Sequence, residues 1–311
     1  IRPLVLGRLG SPEDNSWVVA SETCALDIVG ATYIREVEPG EIIKISDDGL
    51  RSERGLTHRD SAACIFEDVY FSRPDSVVDG RSIYWVRHTM GRQLARETSV
   101  DADLVIGVPD SGVPAAEGFA AELGIPFGTG LIKNRYVART FIQPTQDLRR
   151  LGVRLKLNAL ADVVRGKRLV MVDDSVVRGT TSKQIVRMLR DAGACEVHVR
   201  SASPKVMWPC FYGIDTADQD QLIAAYKTTE EICEYIEADS LGFLSLEGLL
   251  DCVPKRGYCA ACFNGHYPVE IPDDFHERFV SGMCPHALNC SYALTFTQVE
   301  TQLAQKGPQD V

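Results

Sequence analysis

One short segment of the chain combines two adjacent carboxylates with a hydroxyl-rich turn and the start of a helix. Asp173 and Asp174 end the apolar run 169–172. The start of a helix offers unpaired N–H groups and a partial positive charge, which suit a phosphate, and Gly179 permits close approach of the backbone. Two acids suit a ribose diol or Mg²⁺. The segment therefore predicts a site for a ribose 5-phosphate, formed by Asp173, Asp174, Ser175, Val176, Val177, Arg178, Gly179, Thr180 and Thr181.

A purely structural interpretation of this segment is the alternative. An Asp pair after a strand can serve as a helix cap in a solvated loop. The sequence contains neither the glycine-rich P-loop motif nor the dinucleotide-binding glycine motif, so neither of those phosphate-binding classes fits. The combination of the acid pair with the hydroxyl-rich turn favours a functional site.

The elements around this segment alternate between helix and strand. Helical spacing of apolar residues and short apolar runs predict helices over 82–98, 113–123 and 181–192, and strands over 104–108, 168–172 and 196–201. Such alternation predicts an α/β fold with a mostly parallel sheet flanked by helices. Ligands of such sheets bind beyond the carboxyl ends of the strands, where the acid pair lies.

The two ends of the chain differ from this middle part. The pattern of residues 1–60 predicts β-structure, with strands at 16–20 and 41–45. From residue 218 onward the pattern predicts short helices at 229–238 and 245–250, followed by an irregular tail. We therefore expect three parts, namely 1–60, 61–217 and 218–311.

Composition excludes several classes of protein. The 311 residues carry a net charge of −10 and are 45% hydrophobic, which disfavours a nucleic-acid coat and favours a folded core. No apolar run approaches the roughly 18 residues of a membrane span, and the first residues do not form a signal peptide. We expect a cytoplasmic protein, in which clustered cysteines indicate metal binding or catalysis.

The segment 170–181 resembles the phosphoribosyl-pyrophosphate motif of type I phosphoribosyltransferases. Several other stretches narrow this resemblance to the glutamine phosphoribosylpyrophosphate amidotransferases, and to their iron–sulfur-containing, Bacillus-like branch. These stretches lie at 70–76, 107–111, 133–144 and 210–215. The resemblance extends from residue 2 to about residue 271.

The resemblance implies a reaction and a set of roles. The family makes 5-phosphoribosylamine and pyrophosphate from phosphoribosyl pyrophosphate and glutamine-derived ammonia, the first step of de novo purine synthesis. Asp173 and Asp174 would bind the ribose hydroxyls and Mg²⁺, with Ser111 near the same ion, and residues 175–181 would cradle the 5′-phosphate. The flexible loop would close over the pyrophosphate through Lys133, Arg135 and Arg139.

The glutaminase half of the family is represented only by its end. Family members begin with a nucleophilic Cys in an N-terminal-nucleophile hydrolase domain, whereas residue 1 here is Ile, and residues 1–60 resemble the last part of that domain. Cys24 lies in a late segment, 21–27, and is therefore not the nucleophile. We expect either a fragment of a longer product or a natural ammonia-using or inactive form. The fragment is favoured because half a β domain exposes edges and apolar faces.

The cysteines allow two metal interpretations. From spacing alone, Cys259 and Cys262 of a C-x-x-C, together with Cys284, His286 and Cys290, predict a zinc site in a loop-like setting. The resemblance implies instead a [4Fe–4S] cluster on Cys64, Cys210, Cys259 and Cys262, a ligand set that suits such a cluster. We expect Cys195, Cys233 and Cys252 to be packing residues, and no His to be catalytic.

Two other classes of function remain as alternatives: a regulatory protein that binds phosphoribosyl pyrophosphate, and an inactive fragment that retains a cluster. A transcriptional regulator would need a DNA-binding domain, which the acidic charge and the lack of a helix-turn-helix pattern disfavour. By resemblance we expect purine nucleotides as feedback inhibitors and a homo-oligomer, with neither nucleic acid nor membrane as a partner.

Overall fold

A computed structural model describes residues 3–11, 16–46, 48–55, 60–134, 136, 156–214, 216 and 218–271. The chain forms two compact units, 1–269 and 270–311. All elements below belong to the first unit, and only residues 270 and 271 of the second are described. The three-part division predicted above stays a prediction.

The strands of the described residues are β1 to β15 in chain order. They are Val5–Leu9, Ser16–Ala20, Thr32–Glu36, Glu41–Ser46, Gly49–Arg54, Ala63–Cys64, Val77–Val78, Arg81–Ser82, Leu104–Gly107, Leu131–Lys133, Leu157–Ala159, Arg168–Asp173, Glu196–Ser201, Ser240–Phe243 and Tyr258–Cys259.

The α-helices of the same residues are α1 to α9. They are Thr23–Val29, Ile83–Glu97, Val113–Leu123, Ala161–Val164, Thr180–Asp191, Ile223–Tyr226, Thr229–Ile236, Leu246–Cys252 and Ala261–Asn264. A π-helical turn spans Glu67–Phe71 and a 3₁₀ turn spans Gln219–Gln221. Within the described ranges no helix has the length and apolarity needed to cross a bilayer.

A four-stranded sheet forms the centre of the fold, in the order β14-β13-β12-β9, and all its strand pairs are parallel. Successive side chains of a strand point to opposite faces of a sheet. Val170 and Val172 of β12 accordingly pack into the core that contains α2 and α3, whereas Leu169 and Met171 pack into the core that contains α5 and α7. The predicted α/β fold with helices on both sides of a parallel sheet is confirmed.

Two glycines permit close packing of α2 against α3. A Cβ atom at Gly91 would collide with the main chain of Ala115, and one at Gly118 would collide with the main chain of His88. The two contacts are reciprocal, because each helix contributes one glycine and one backbone surface. Larger residues at either position would push the helices apart.

The first sixty residues contain more than strands. Strands β2 and β4 were expected from the sequence, but helix α1 was not. The strands form a sheet in the order β2-β1-β3 and a β4–β5 hairpin. Leu26 of α1 is fully buried against Val5 and Ala31, which form a small separate core. Strand β14 was not predicted either, although it pairs with β13 at the edge of the central sheet.

Candidate functional site

A cavity of about 850 Å³ opens at the carboxyl ends of β9 and β12. The lining brings together most of the residues that the sequence singled out. Those residues are Ser111, Lys133, Asp173, Asp174, Ser175, Val177, Arg178, Gly179, Thr180 and Thr181. Cavities at this edge of a parallel sheet are the usual ligand sites of α/β folds.

The acid pair is buried at the base of this arrangement. Asp173 is the last residue of β12 and Asp174 follows it, with 7% and 9% of their surfaces exposed. The carboxylate of Asp173 accepts a hydrogen bond of 2.9 Å from the N–H of Asp174. Burial, and then the charge of Asp174, raise the pKa of Asp173 well above its usual range. Burial also raises the pKa of Asp174, although hydrogen bonds from Ser111 and Ser175 lower it.

A second loop contacts the acid pair from the neighbouring strand. Ser111 lies in the turn after β9, and its hydroxyl donates a hydrogen bond to Oδ2 of Asp174. Ser175 donates to Oδ1 of the same carboxylate over 2.7 Å. The peptide bond between Pro109 and Asp110 in this turn is cis. Ser111 and Asp174 can therefore bind one cation, since hydroxyl and carboxylate oxygens are ligands that Mg²⁺ accepts.

The turn 175–179 leads directly into α5. Gly179 has φ 71° and ψ −12°, a left-handed conformation that favours glycine, and no side chain caps the helix that starts at Thr180. The first N–H groups of α5 therefore remain available to an anion. Val176 differs from its neighbours, because its side chain is buried in the core and only its main chain belongs to the turn.

Lys133 reaches the cavity from the end of β10. Its Nζ lies 2.5 Å from Oδ2 of Asp110, and both side chains are more than half exposed. Such exposed pairs contribute little to stability, so an anionic ligand can compete for the lysine. Arg135 and Arg139 lie outside the described residues.

Several residues that line the cavity were not singled out individually from the sequence. These residues are Tyr70 and Phe71 of the π-helical turn, Ser72, Arg73 and Pro74 that follow it, and Arg87 and Lys156. The stretch 70–76 was noted only for its family resemblance, and Arg87 lies in an amphipathic helix whose pattern gives no sign of a ligand site. A buried Arg at a core-facing helical position is the signal that could have identified it.

The four cysteines of the expected cluster approach one another in a separate region. Cys64 and Cys259 are paired in the parallel ladder between β6 and β15, and Cys262 follows in α9. Burial is the main cause that raises the pKa of Cys64 to about 11, and the charge of Cys210 is a smaller cause in the same direction. Burial raises the pKa of Cys262 as well, followed by the charges of Cys64, Cys210 and Cys259. Cys262 thus lies within electrostatic range of the other three thiols.

The setting of the C-x-x-C is not the loop that we expected. Cys259 ends a short strand and Cys262 lies in the first turn of a short helix. The raised pKa of Cys262 is nevertheless the opposite of what a reactive redox cysteine shows. Among the described residues, no group of three or more His, Cys, Asp or Glu side chains is arranged to hold a metal ion.

The remaining cysteines differ in burial. Cys24 and Cys252 are buried and Cys233 is half-buried. Cys195 is exposed, so the prediction that it is a packing residue is wrong. Cys284, His286 and Cys290 of the zinc interpretation lie outside the described residues.

Comparison with known proteins places these features in a family context. Residues 88–202 match the phosphoribosyl transferase domain family. Amidophosphoribosyltransferases of Synechocystis sp. and Bacillus subtilis are 60% and 55% identical to the chain over 275 and 280 residues. Each alignment covers 88% of this chain and 55% or 58% of the relative, so the chain spans somewhat more than half of their length.

Two solved structures are similar over the same part. The allosteric regulatory enzyme of purine biosynthesis superposes with a TM-score of 0.81 at 55% identity, covering 88% of this chain and 59% of that one. The glutamine phosphoribosylpyrophosphate amidotransferase of B. subtilis, complexed with ADP and GMP, has a TM-score of 0.80 at 55% identity, with 88% and 62% covered. These matches and the domain match identify the central sheet and its helices as a type I phosphoribosyltransferase fold.

Proposed function

We propose that this chain carries the phosphoribosyl-transfer site of an amidophosphoribosyltransferase. The reaction joins ammonia to carbon 1 of phosphoribosyl pyrophosphate and releases pyrophosphate, which makes 5-phosphoribosylamine at the first step of purine synthesis. The observation that carries the proposal is the buried Asp173–Asp174 pair beside the open start of α5. The identity of 55–60% to amidophosphoribosyltransferases supports ammonia as the acceptor, which the fold alone would not select.

The turn and the acid pair bind the two ends of the ribose phosphate. The N–H groups at the start of α5, with the hydroxyls of Ser175, Thr180 and Thr181, hold the 5′-phosphate. Asp173 and Asp174 accept hydrogen bonds from the ribose hydroxyls. The N–H of Asp174 holds the carboxylate of Asp173, and the hydroxyls of Ser111 and Ser175 hold the carboxylate of Asp174. Both acids are therefore in place to fix the ribose before the reaction begins.

The pyrophosphate is bound between the Ser111 turn and Lys133. Mg²⁺ would be held by Ser111, Asp173 and Asp174 and would stabilise the negative charge of the departing pyrophosphate. Two buried carboxylates with raised pKa values fit a cation, because their mutual repulsion is relieved when it binds. Lys133, together with Arg135 and Arg139, supplies positive charge over the leaving group and excludes water from the reacting carbon.

We propose that the thiols of Cys64, Cys210, Cys259 and Cys262 would hold a [4Fe–4S] cluster, although the structure of the described residues does not arrange them as a metal site. The proposal is supported by the ladder pairing of Cys64 with Cys259 and by the effect of the other three thiols on the pKa of Cys262. Four thiolates suit both a [4Fe–4S] cluster and zinc, and we propose the cluster because the family resemblance implies it. The cluster would join the segment after α8 to the segment before the π-helical turn.

Regulation and assembly are further proposals, and a solved relative supports the first of them. The B. subtilis structure contains ADP and GMP, and we propose that purine nucleotides bind to this protein as feedback inhibitors. We also propose a cytoplasmic homo-oligomer that binds neither nucleic acid nor membrane.

Turnover of phosphoribosyl pyrophosphate tests the proposal. The chain is purified without oxygen and supplied with Mg²⁺ and either ammonia or glutamine, and both pyrophosphate and phosphoribosylamine are measured. Phosphoribosylamine from ammonia supports the transfer site, and its formation from glutamine would show that a glutaminase is present as well. A folded chain that forms neither product overturns the catalytic proposal.

A further inference from the structure

Arg87 is a buried cation in the wall of the candidate site. It lies in the middle of α2, with only 2% of its surface exposed, and it lines the cavity that contains the acid pair. Neither the phosphoribosyl motif nor the loop of Lys133 includes it. A fully buried arginine is unusual, because removing its charge from water is costly unless its donors are satisfied.

The guanidinium holds the main chain of the π-helical turn. Nε of Arg87 donates to the carbonyl of Asp68 and Nη2 donates to the carbonyl of Ser72, both over 2.8 Å. A weaker bond of 3.5 Å joins Nη2 to the carbonyl of Glu67. One side chain therefore fixes both ends of the segment 67–72.

The held segment continues directly into the cavity wall. Tyr70 and Phe71 lie within it and line the cavity, and Arg73 and Pro74 follow it along the same wall. π-Helical turns are rare and occur often at functional sites. Because Arg87 binds main-chain carbonyls at both ends of this turn, we expect the position of the turn to depend on that side chain.

The charges around Arg87 connect it to the same site. The nearby acids that favour its charged form are Asp174, Asp68, Glu22 and Glu67, in decreasing order of effect. Burial has the larger and opposite effect on its pKa. Hydrophobic residues usually fill such a position at lower cost, so a buried charge here indicates a role beyond packing.

We propose that Arg87 is a positioning residue for the phosphoribosyl site, which holds the main chain of residues 67–72 as a fixed wall of the cavity. The substrate meets a wall that is already in place, and less free energy of binding is used to order it. This inference rests on the proposed function for its kinetic consequence, but not for its structural one.

Three variants of the 311-residue chain test the role of Arg87. Arg87→Met removes the donors at similar volume, and Arg87→Lys keeps the charge with fewer fixed donors. Arg92→Met is the matched control, because Arg92 is exposed on the same helix and pairs with Glu122. We expect Arg87→Met to raise the KM for phosphoribosyl pyrophosphate in the ammonia reaction by about tenfold, as loss of one binding contact would. Arg87→Lys should give an intermediate KM, and Arg92→Met should resemble the unmodified chain.

Amide hydrogen exchange in the ligand-free proteins supplies a second readout. Faster exchange across residues 67–72 in both Arg87 variants, but not in Arg92→Met, supports the positioning role even if the unmodified chain shows no turnover. In that case the proposed function fails and the structural inference does not. The inference about Arg87 is overturned if the Arg87→Met protein has a lower Tm but an unchanged KM and unchanged exchange in residues 67–72. If that variant does not fold, Arg87→Lys decides, and identity with the unmodified chain in both readouts overturns the inference.

Discussion

The hydroxyl of Ser111 donates a hydrogen bond to the carboxylate of Asp174, which lies 63 positions later in the sequence. The two residues follow β9 and β12, which are neighbours in the parallel sheet. Because the carboxyl ends of adjacent parallel strands lie at one edge, this pairing joins the two loops that we propose bind opposite ends of the substrate. The contact makes the site one unit and not two separate loops.

Replacing Asp174 by Asn should abolish turnover and raise stability. The acid pair is buried and its pKa values are raised, so folding favours the protonated form and stability is lost as pH rises through the folded-state pKa. We expect Asp174→Asn to raise Tm at pH 8, with a smaller gain near pH 4. We expect turnover to fall by at least about a hundredfold, as loss of transition-state charge stabilisation does.

Thermal unfolding at both pH values and the ammonia assay measure these effects. Asp191→Asn is the control, because Asp191 is an exposed acid at the end of α5. A lower Tm at pH 8 for Asp174→Asn, or retained turnover, would contradict the account of the acid pair.

Replacing Cys64 by Ser should remove the proposed cluster. Cys64 lies opposite Cys259 in the β6–β15 ladder, so its loss opens one corner of the ligand set. We expect iron in the anaerobically purified protein to fall from about four per chain to background, with loss of the visible absorbance of the cluster. Cys195→Ser, at an exposed cysteine, should leave both unchanged. Zinc in place of iron in the unmodified protein would favour the zinc interpretation.

The strands and helices of the sheet could be predicted because their burial is encoded locally. Strand β13 lies where the pattern predicted it, and the α5 helix begins and ends one residue earlier than predicted. Helix α1 was missed because it is short and lies among strands, where the burial of Cys24 and Leu26 stabilises it. Strand β14 was missed because Ser240–Phe243 has little apolar pattern of its own and is a strand through pairing with β13.

The part of the site whose functional residues are adjacent in the sequence could be predicted. The segment 173–181 could be identified from its residue types alone, whereas the wall formed by Arg87 and the π-helical turn depends on long-range contacts. The setting of Cys259 was also misjudged, because its strand exists only through pairing with β6. Local patterns do not report such pairing.

A methyl group at Gly91 should destabilise the packing of α2 against α3. The added Cβ would collide with the carbonyl of Ala115, which belongs to the neighbouring helix and cannot rotate away. Alanine would otherwise favour the helix by about 1 kcal/mol, so any loss of stability reports the collision. We expect Gly91→Ala to lower the free energy of unfolding by about 2 kcal/mol, as overpacking does. Denaturant unfolding measures this, and Thr89→Ala, at an exposed position of the same helix, should change little.

Glu41 should make the stability of the N-terminal strands depend on pH in the acidic range. Its carboxylate accepts two hydrogen bonds from Arg35, of 2.8 and 2.6 Å, and others from Ser52 and the N–H of Glu38. The bond with Arg35 is the main cause that lowers the pKa of Glu41 to about 2. A lowered folded-state pKa stabilises the fold above the unfolded-state pKa, and this gain is lost as pH falls toward 2.

We therefore expect Glu41→Gln to destabilise the protein at pH 7 by about 1 kcal/mol, the scale of a charge-assisted hydrogen bond. The difference from the unmodified chain should shrink between about pH 4.3, the usual value for Glu, and the folded-state pKa. Hydrogen exchange across residues 32–54, followed from pH 7 downward, measures it. Glu53→Gln is the control, because Glu53 is an exposed acid on the adjacent strand. An effect of Glu41→Gln that stays constant with pH would show that the ionised form of Glu41 does not stabilise these strands.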